Sequence, residues 1–523
     1  MAELTSWSIE LEVLRPSLKD NSGDFDRLIK ALKKQTNIAR VEGDIFLLKE
    51  LPTILRKNDF SIKASIFRDR CGYFLTGLRG QRQSNFLGVA VDLGTTRYVI
   101  SILDLEQKKI LCEGNYPNPQ VKIGPDILMR IHYAETPSGR EELKKLIIDD
   151  LNKNLKELCS LYNLNLDDIV NIAIAGNTAM THLFLGIVPN WIIREPYIPP
   201  INTLDLFSAR DLGIEVSKSA KVFFFPNIGS YLGGDLISGL LECEIHKKEE
   251  ISIFVDVGTN AEVILGNKHW LVACAGAAGP ALEGGVSKIG KQAGPGVIDR
   301  VKYDPEKNRF LYTTIENLPP VGICGSGMID LAAELFRHGF LDIRGKFVPD
   351  RAPDLFTTKD DTICLILVKR DHSGTKQDLL ISQPEIDSLI RSKAAMYTII
   401  ETIAETVGIT LNDISNFFIG GTFGSFINPE SAITIGMLPD LPKQRFIPLG
   451  NTSLKGAIKL LFEPKCFEEI CELEKKITYL ELNVNQEFMN RFNGAKFLPH
   501  TDLTKFPSVK VNETLIPKGD QNA

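Results

Sequence analysis

GVAVDLGTTRYVISILDL, residues 88–105, reads as a buried strand, a Gly-Thr-Thr turn and a second strand. The apolar, β-branched runs on both sides of the turn carry the strand signal. An acid, Asp92, stands at the carboxyl end of the first run, where another hydrophobic residue would extend it. A single Asp-x-Gly-Thr is most simply a type I′ hairpin with a capping acid. The same residues also suit phosphate, because backbone N–H groups and threonine hydroxyls in a small concave turn hold anionic oxygens. A carboxylate before such a turn is costly to bury alone, and Mg²⁺, which takes one or two carboxylates with waters and substrate phosphates, would offset that cost.

A second copy decides between the two. VAVDLGTTRYVISIL at 89–103 is echoed by IFVDVGTNAEVILG at 253–266. Each copy is followed by a long helical pattern and then by a strand ending in glycine, AIAGN at 173–177 and FFIGGTFG at 417–424. The helical patterns are 140–163 and 382–408, the latter with Ser382 as N-cap and Glu385 completing a capping box. Strands alternating with long helices predict an α/β domain, and the repeat predicts a duplicated sheet whose two hairpins clamp a triphosphate. Asp92 and Asp256 are then the Mg²⁺ carboxylates, acting through water. Gly94, Thr95, Thr96, Gly258, Thr259 and Asn260 cradle phosphates, and Gly420, Gly421 and Thr422 seat adenine and ribose against the backbone.

The rest of the chain bounds this reading. Its 523 residues allow two to four domains at about 150 residues each. Residues 1–84 alternate short strands and helices and form a small α+β module ahead of a domain at 85–523, with lobes at about 85–250 and 251–523. A net charge of -6 argues against a nucleic-acid surface. MAELTSWSIELEVLRP lacks the layout of a signal peptide, and no apolar run approaches the ~18 residues of a membrane span. The expectation is a soluble, cytoplasmic protein without membrane or nucleic-acid partners; homodimerisation is left open. The nine cysteines are scattered. Cys466 and Cys471 have the first spacing of a plant-type iron–sulfur set, but no third cysteine follows and the pattern around them is an amphipathic helix. No iron–sulfur cluster is expected from them. His182, on an apolar helical stretch, reads as a core histidine, and His500 has no chemical role in this scheme.

Asp92-Leu93-Gly94-Thr95-Thr96, Asp256-Val257-Gly258-Thr259-Asn260 and Gly420-Gly421-Thr422 resemble the two phosphate motifs and the adenosine motif of the ASKHA superfamily of acetate and sugar kinases, heat-shock ATPases and actin. A closer resemblance spans nearly the whole chain. NPQVKIGPDILMRI (118–131), AGNTAMTHLFLGI (175–187), CAGAAGPALEGG (274–285), GICGSGMIDLAAEL (322–335), NTSLKGA (451–457) and EFMNRFNGAKFLPH (487–500) are similar to the reductive activators of corrinoid proteins. PSLKDNSGDFDRL (16–28) resembles the entry to that family's linker and middle domain. The resemblance implies a duplicated ribonuclease-H-like, actin-like two-lobed fold behind a small N-terminal α+β domain of linker and middle type. It also implies an ATPase that drives Co(II) to Co(I) in a corrinoid protein of a methyltransferase system.

Members of that family usually carry an iron–sulfur domain, and this sequence begins where such a module would end. The expected electron donor is then a separate ferredoxin-like protein; the alternatives are a related job that carries no electrons and a truncated sequence. Arg97 stands where relatives tend to have a third threonine; it reads as a solvated strand residue in preference to a cation near the γ-phosphate. Asp235, in SYLGGDLISGLLE, resembles the Gly-Gly-Asp base of sugar kinases and could orient an attacking water, or it starts a helix. Glu283 either bonds ribose or a phosphate-bound water, or favours a helix N-terminus. The glycine-rich stretch from Cys274 to Gly285 is a candidate partner-facing element. Two rival functions stay open, a small-metabolite kinase with Asp235 as base and a nucleotide-gated scaffold for methyltransferase components.

Overall fold

A computed structural model describes residues 4–510, apart from 37, 39, 84, 259–260, 277–286, 425 and 482–485. The chain divides into two compact units: the described parts of Met1–Glu244 with Thr452–Ile477, and of Ile245–Asn451 with Thr478–Ala523.

The first unit is built on the opening stretch. Leu87–Leu93 is a strand in which every residue but Asp92 is buried, the continuous apolar pattern of a strand covered on both faces. It pairs antiparallel with Arg97–Asp104 and parallel with Ile169–Gly176. The full sheet runs Lys109–Pro117, Arg97–Asp104, Leu87–Leu93, Ile169–Gly176, Lys221–Phe224, Phe207–Ser208. The helix Pro137–Leu161 is capped by Thr136, whose hydroxyl accepts from Gly139 N at 3.1 Å. Its Leu143, Ile147, Leu151 and Leu155 recur every four residues and share a core with Val89, Val91, Ile100, Ile172 and Ile174.

The second unit repeats the arrangement. Its central strand Ser252–Val257 pairs antiparallel with Ala261–Gly266 and parallel with Asn416–Gly420. The sheet runs Leu271–Gly276, Ala261–Gly266, Ser252–Val257, Asn416–Gly420, Phe446–Gly450, the order of the first five strands above. A sixth strand, Ile477–Tyr479, lies beyond Leu271–Gly276, whereas the sixth strand of the first sheet is on the opposite edge. The long helix Gln383–Thr406 begins with the expected capping box of Ser382 and Glu385. Two three-stranded sheets between Val297 and Ser382 are inserted ahead of that helix.

Residues 8–80 form a four-stranded sheet in the order Ser8–Glu12, Ser61–Arg68, Tyr73–Gly80, Val41–Gly43, with helices Asp24–Thr36 and Ile45–Lys57. This module belongs to the first unit. Trp7 is buried; its indole Nε1 donates to Leu460 O at 2.9 Å and its ring meets Phe67 edge-on at 5.0 Å.

Thr452–Ile477, expected from sequence with the second lobe, folds with the first unit. The small residues of its helix Thr452–Phe462 explain why: a Cβ on Gly456 would stand 1.9 Å from Ser238 O, and Ser238 Oγ donates to Ser453 O at 2.6 Å. That contact joins it to the helix Gly234–Cys243. Cys466 is buried in the following helix and Cys471 is half-buried there; neither is in a disulfide.

Two outcomes follow from the packing. Trp7→Ala should cost about 3–5 kcal/mol. Trp7→Phe, which keeps ring packing but loses the Leu460 bond, should cost about 1 kcal/mol, both read by urea unfolding. His500 is buried beside Tyr397 and Phe506, and its Nδ1 accepts from Asp502 N at 2.9 Å. Burial, then the charge of Lys505, pushes its pKa down to about 4; Lys393 acts in the same sense, while Glu401 and Asp502 oppose. A depressed folded-state pKa means the stabilisation is complete above the unfolded value near 6.5 and is lost as pH falls towards 4. His500→Phe should therefore flatten the fall in melting temperature between pH 7 and 4.5.

Candidate functional site

The connection at Gly94, Thr95 and Thr96 is three residues long, and none of them has positive φ. A type I′ turn needs positive φ at both central residues, so that hairpin is excluded. Glycine is required for close approach instead: a Cβ on Gly94 would lie 2.3 Å from Arg97 O. Asn118 braces the turn. Its N–H donates to Thr96 O and its Nδ2 to Gly94 O, each at 2.9 Å, which takes two carbonyl oxygens out of competition with an anion.

Three helices begin around this turn. Asn177 is the N-cap of Thr178–Leu185, its Oδ1 accepting from Met180 N at 2.9 Å, and its Nδ2 donates to Thr95 Oγ1 at 3.0 Å. Gly233 is the N-cap of Gly234–Cys243 and lies so close to Asn177 that a Cβ on it would be 2.3 Å from Asn177 Cα. Ser453, in the first turn of Thr452–Phe462, donates from Oγ to Asp92 Oδ1 at 2.8 Å. Helix N-termini offer unpaired N–H groups and the positive end of the helix dipole, so their convergence favours a bound anion.

Asp92 and Asp235 are brought together here. Asp235 occupies the first turn of Gly234–Cys243, and its Oδ1 accepts from Leu236 N at 2.9 Å. Burial, with the neighbouring charge of Asp92 adding to it, pushes the Asp235 carboxyl up to about 7, while the backbone N–H bonds oppose the shift. Asp235 thus both starts a helix and is poised to exchange a proton near neutral pH.

In the second unit, Asp256 lies in register with Gly420 on one neighbouring strand and Glu262 on the other. Gly421 has φ 79°, and a Cβ on it would be 2.8 Å from both Asp256 Oδ1 and Val257 O. The chain therefore turns directly against Asp256 at a position only glycine fills without strain. Gly258 follows the strand and is half-buried. Thr259, Asn260, Glu283, the side chain of Thr422 and most of the Cys274–Gly285 stretch lie outside the described residues.

Register also relates the two units. Asp92 pairs with Ala175 as Asp256 pairs with Gly420, so Gly176-Asn177 occupies the place of Gly421-Thr422. Sequence reasoning took the second pair as functional and passed over Asn177, although an asparagine before an apolar helix is a visible N-cap signal. Asn118 and Ser453 were also missed. Nothing local in NTSLKGA points to Asp92, 361 residues away.

Other singled-out residues fall elsewhere. Arg97 reaches across the hairpin, Nε to Asn115 Oδ1 at 2.7 Å and Nη2 to Asn115 O at 2.9 Å, a cross-strand brace. His182 is buried, with Nδ1 2.6 Å from Thr178 O, and burial lowers its pKa. Among the described residues no group of three or more His, Cys, Asp or Glu side chains is arranged to hold a metal ion, and no helix is long and apolar enough to cross a membrane.

Three family models match the chain in succession: the RACo linker region over residues 6–84, the RACo middle region over 87–248, and the C-terminal domain of RACo, the ASKHA domain, over 250–510. The name "middle" thus falls on the first sheet and its helices, and the module at 6–84 is linker. A solved structure of a reductive activator for corrinoid, iron–sulfur protein superposes with a TM-score of 0.89 at 38% identity, covering 97% of this chain and 81% of that one. The corrinoid activation enzyme RamQ of Eubacterium limosum is 28% identical over 421 residues, 79% of this chain and 70% of that one. A reductase of a Co(II) methylated amine-specific corrinoid protein from Methanosarcina barkeri is 24% identical over 441 residues, 77% of this chain and 75% of that one. With its linker, middle and ASKHA regions all matched in order, the chain belongs to the family of reductive activators of corrinoid proteins.

Proposed function

We propose that this protein hydrolyses ATP to drive one-electron reduction of Co(II) to Co(I) in a corrinoid protein of a methyltransferase system. The observation that carries the nucleotide half is the convergence of three helix N-termini and the Asp92–Asp235 pair on the Gly94–Thr96 turn. The corrinoid half rests on family membership. In this reading Gly94, Thr95 and Thr96 hold phosphate oxygens in the first unit, as Gly258, Thr259 and Asn260 do in the second. Gly420, Gly421 and Thr422 carry the nucleoside, with Glu283 on ribose or a phosphate-bound water.

Two carboxyls so close that the charge of one raises the pKa of the other suit a hard divalent cation. Asp92, and Asp256 in its own unit, are the carboxylates that would hold Mg²⁺ through water; bound there, the ion would neutralise phosphate charge. Asp235 accepts the proton of the attacking water as the γ-phosphoryl group leaves, giving ADP and phosphate. Ser453 fixes the Asp92 carboxylate, and Asn177 fixes the Thr95 hydroxyl. The electron comes from a separate low-potential, ferredoxin-like donor, which is oxidised by one electron as cobalt is reduced. The free energy of hydrolysis makes the transfer favourable by shifting the partner between states; a change from 1:99 to 99:1 requires about 5.5 kcal/mol.

The test mixes the full chain with ATP, Mg²⁺, a reduced ferredoxin and a Co(II) corrinoid protein, and follows Co(I) by absorbance. ATP-dependent Co(I) is expected; its absence across several corrinoid partners refutes the corrinoid role. A stable phosphorylated metabolite, with turnover indifferent to corrinoid, would favour the kinase instead. Asp92→Ala should abolish ATP turnover with circular dichroism unchanged. Asp235→Asn should lower kcat by on the order of 10²-fold with little change in KM; full activity in either variant refutes its assigned role.

A further inference from the structure

Arg130 lies wholly inside the first unit, 0% exposed. Its Nε donates to Gly124 O at 2.7 Å and its Nη1 to Met180 Sδ at 3.5 Å, while Nη2 has no hydrogen-bond partner among the described residues. The acid whose charge favours its protonation is Asp126, and that side chain is exposed and engaged as an N-cap by Met129 N at 2.9 Å. Burial draws the guanidinium pKa down to about 10, so it stays cationic at neutral pH. A buried charge without a counter-charge is strongly unfavourable.

Its position removes one remedy. Met180 sits in the first turn of Thr178–Leu185, the helix whose N-cap Asn177 bonds Thr95. Asn118 Nδ2, which donates to Gly94 O, lies 4.0 Å from the same Met180 sulfur. One sulfur atom therefore stands between the guanidinium and the amide that braces the phosphate turn. Behind a helix N-terminus a cation adds to the positive end of the dipole rather than offsetting it. Two positive features meet, and among the described residues Arg130 forms no ion pair, the charge of Asp126 reaching it only from an exposed side chain.

We infer that Arg130 is a positioning residue for an anionic ligand, a buried counter-charge behind the Gly94–Thr96 turn that attracts phosphates without touching them. The inference rests on the nucleotide reading above. It deepens that reading by assigning part of the site's preference for multiply charged ligands to one side chain.

A field effect scales with ligand charge; a packing role does not. Arg130→Met and Arg130→Gln in the full chain are titrated calorimetrically with adenosine, ADP and ATP, and each apo melting temperature is recorded. Affinity should fall roughly tenfold for ATP and several-fold for ADP, with adenosine unchanged. The apo melting temperature should hold or rise, because an unpaired buried charge has been removed. Equal losses for all three ligands with a lowered melting temperature would show a structural role and overturn the inference. Unchanged ATP affinity in the variants overturns it while leaving the nucleotide site intact, whereas wild-type protein that binds no nucleotide defeats both. If Arg130→Met does not fold, Arg130→Gln, which keeps a donor for Gly124 O, carries the test.

Discussion

A carboxylate at the end of a strand buried on both faces has to be served by polar groups, and Asp92 is served from far along the chain. Ser453 Oγ reaches it from a helix that returns to the first unit after five of the six strands of the second unit's central sheet. The return is possible because Gly456 lets that helix lie against Ser238. Asp235 comes to the same place because its helix starts at Gly233, pressed against Asn177. The small residues at these crossings thus decide which side chains gather at the turn, and the sheet order decides that the turn opens among helix N-termini.

The anion site proposed here is made largely of backbone. A net charge of -6 gives no hint of such a site, because its positive field would come from N–H groups and helix dipoles rather than from surface lysines and arginines. The two acids in this field do not weaken it equally. Burial and the charge of Asp92 raise the pKa of Asp235, so the pair resists holding two negative charges at once. Arg130, buried in the same unit, adds a positive charge that no ion pair among the described residues neutralises, although the charge of exposed Asp126 favours it.

Duplication supplied the frame twice and left the copies unequal. The five-strand order is common to both units, but the sixth strands lie on opposite edges, and among the described residues the second unit alone inserts small sheets ahead of its long helix. At the equivalent position after the parallel neighbour strand, one copy has Gly176-Asn177 and the other Gly421-Thr422. In the first, Asn177 caps a helix and holds Thr95; in the second, Gly421 adopts positive φ against Asp256.

Sequence alone carried the strand–turn–strand units, their repetition, the two long helices, the capping box at Ser382 and Glu385, and the acids at 92 and 256. These are local patterns of burial and turn chemistry, written in neighbouring residues. It could not show that residues 452–477 pack with the first unit, that Ser453 bonds Asp92, that Asn118 and Asn177 brace the turn, or that Arg130 is buried without an ion pair among the described residues. Each of these depends on atoms brought together across tens to hundreds of residues. Such contacts are fixed by how closely two backbones approach, and only the packed structure sets that distance.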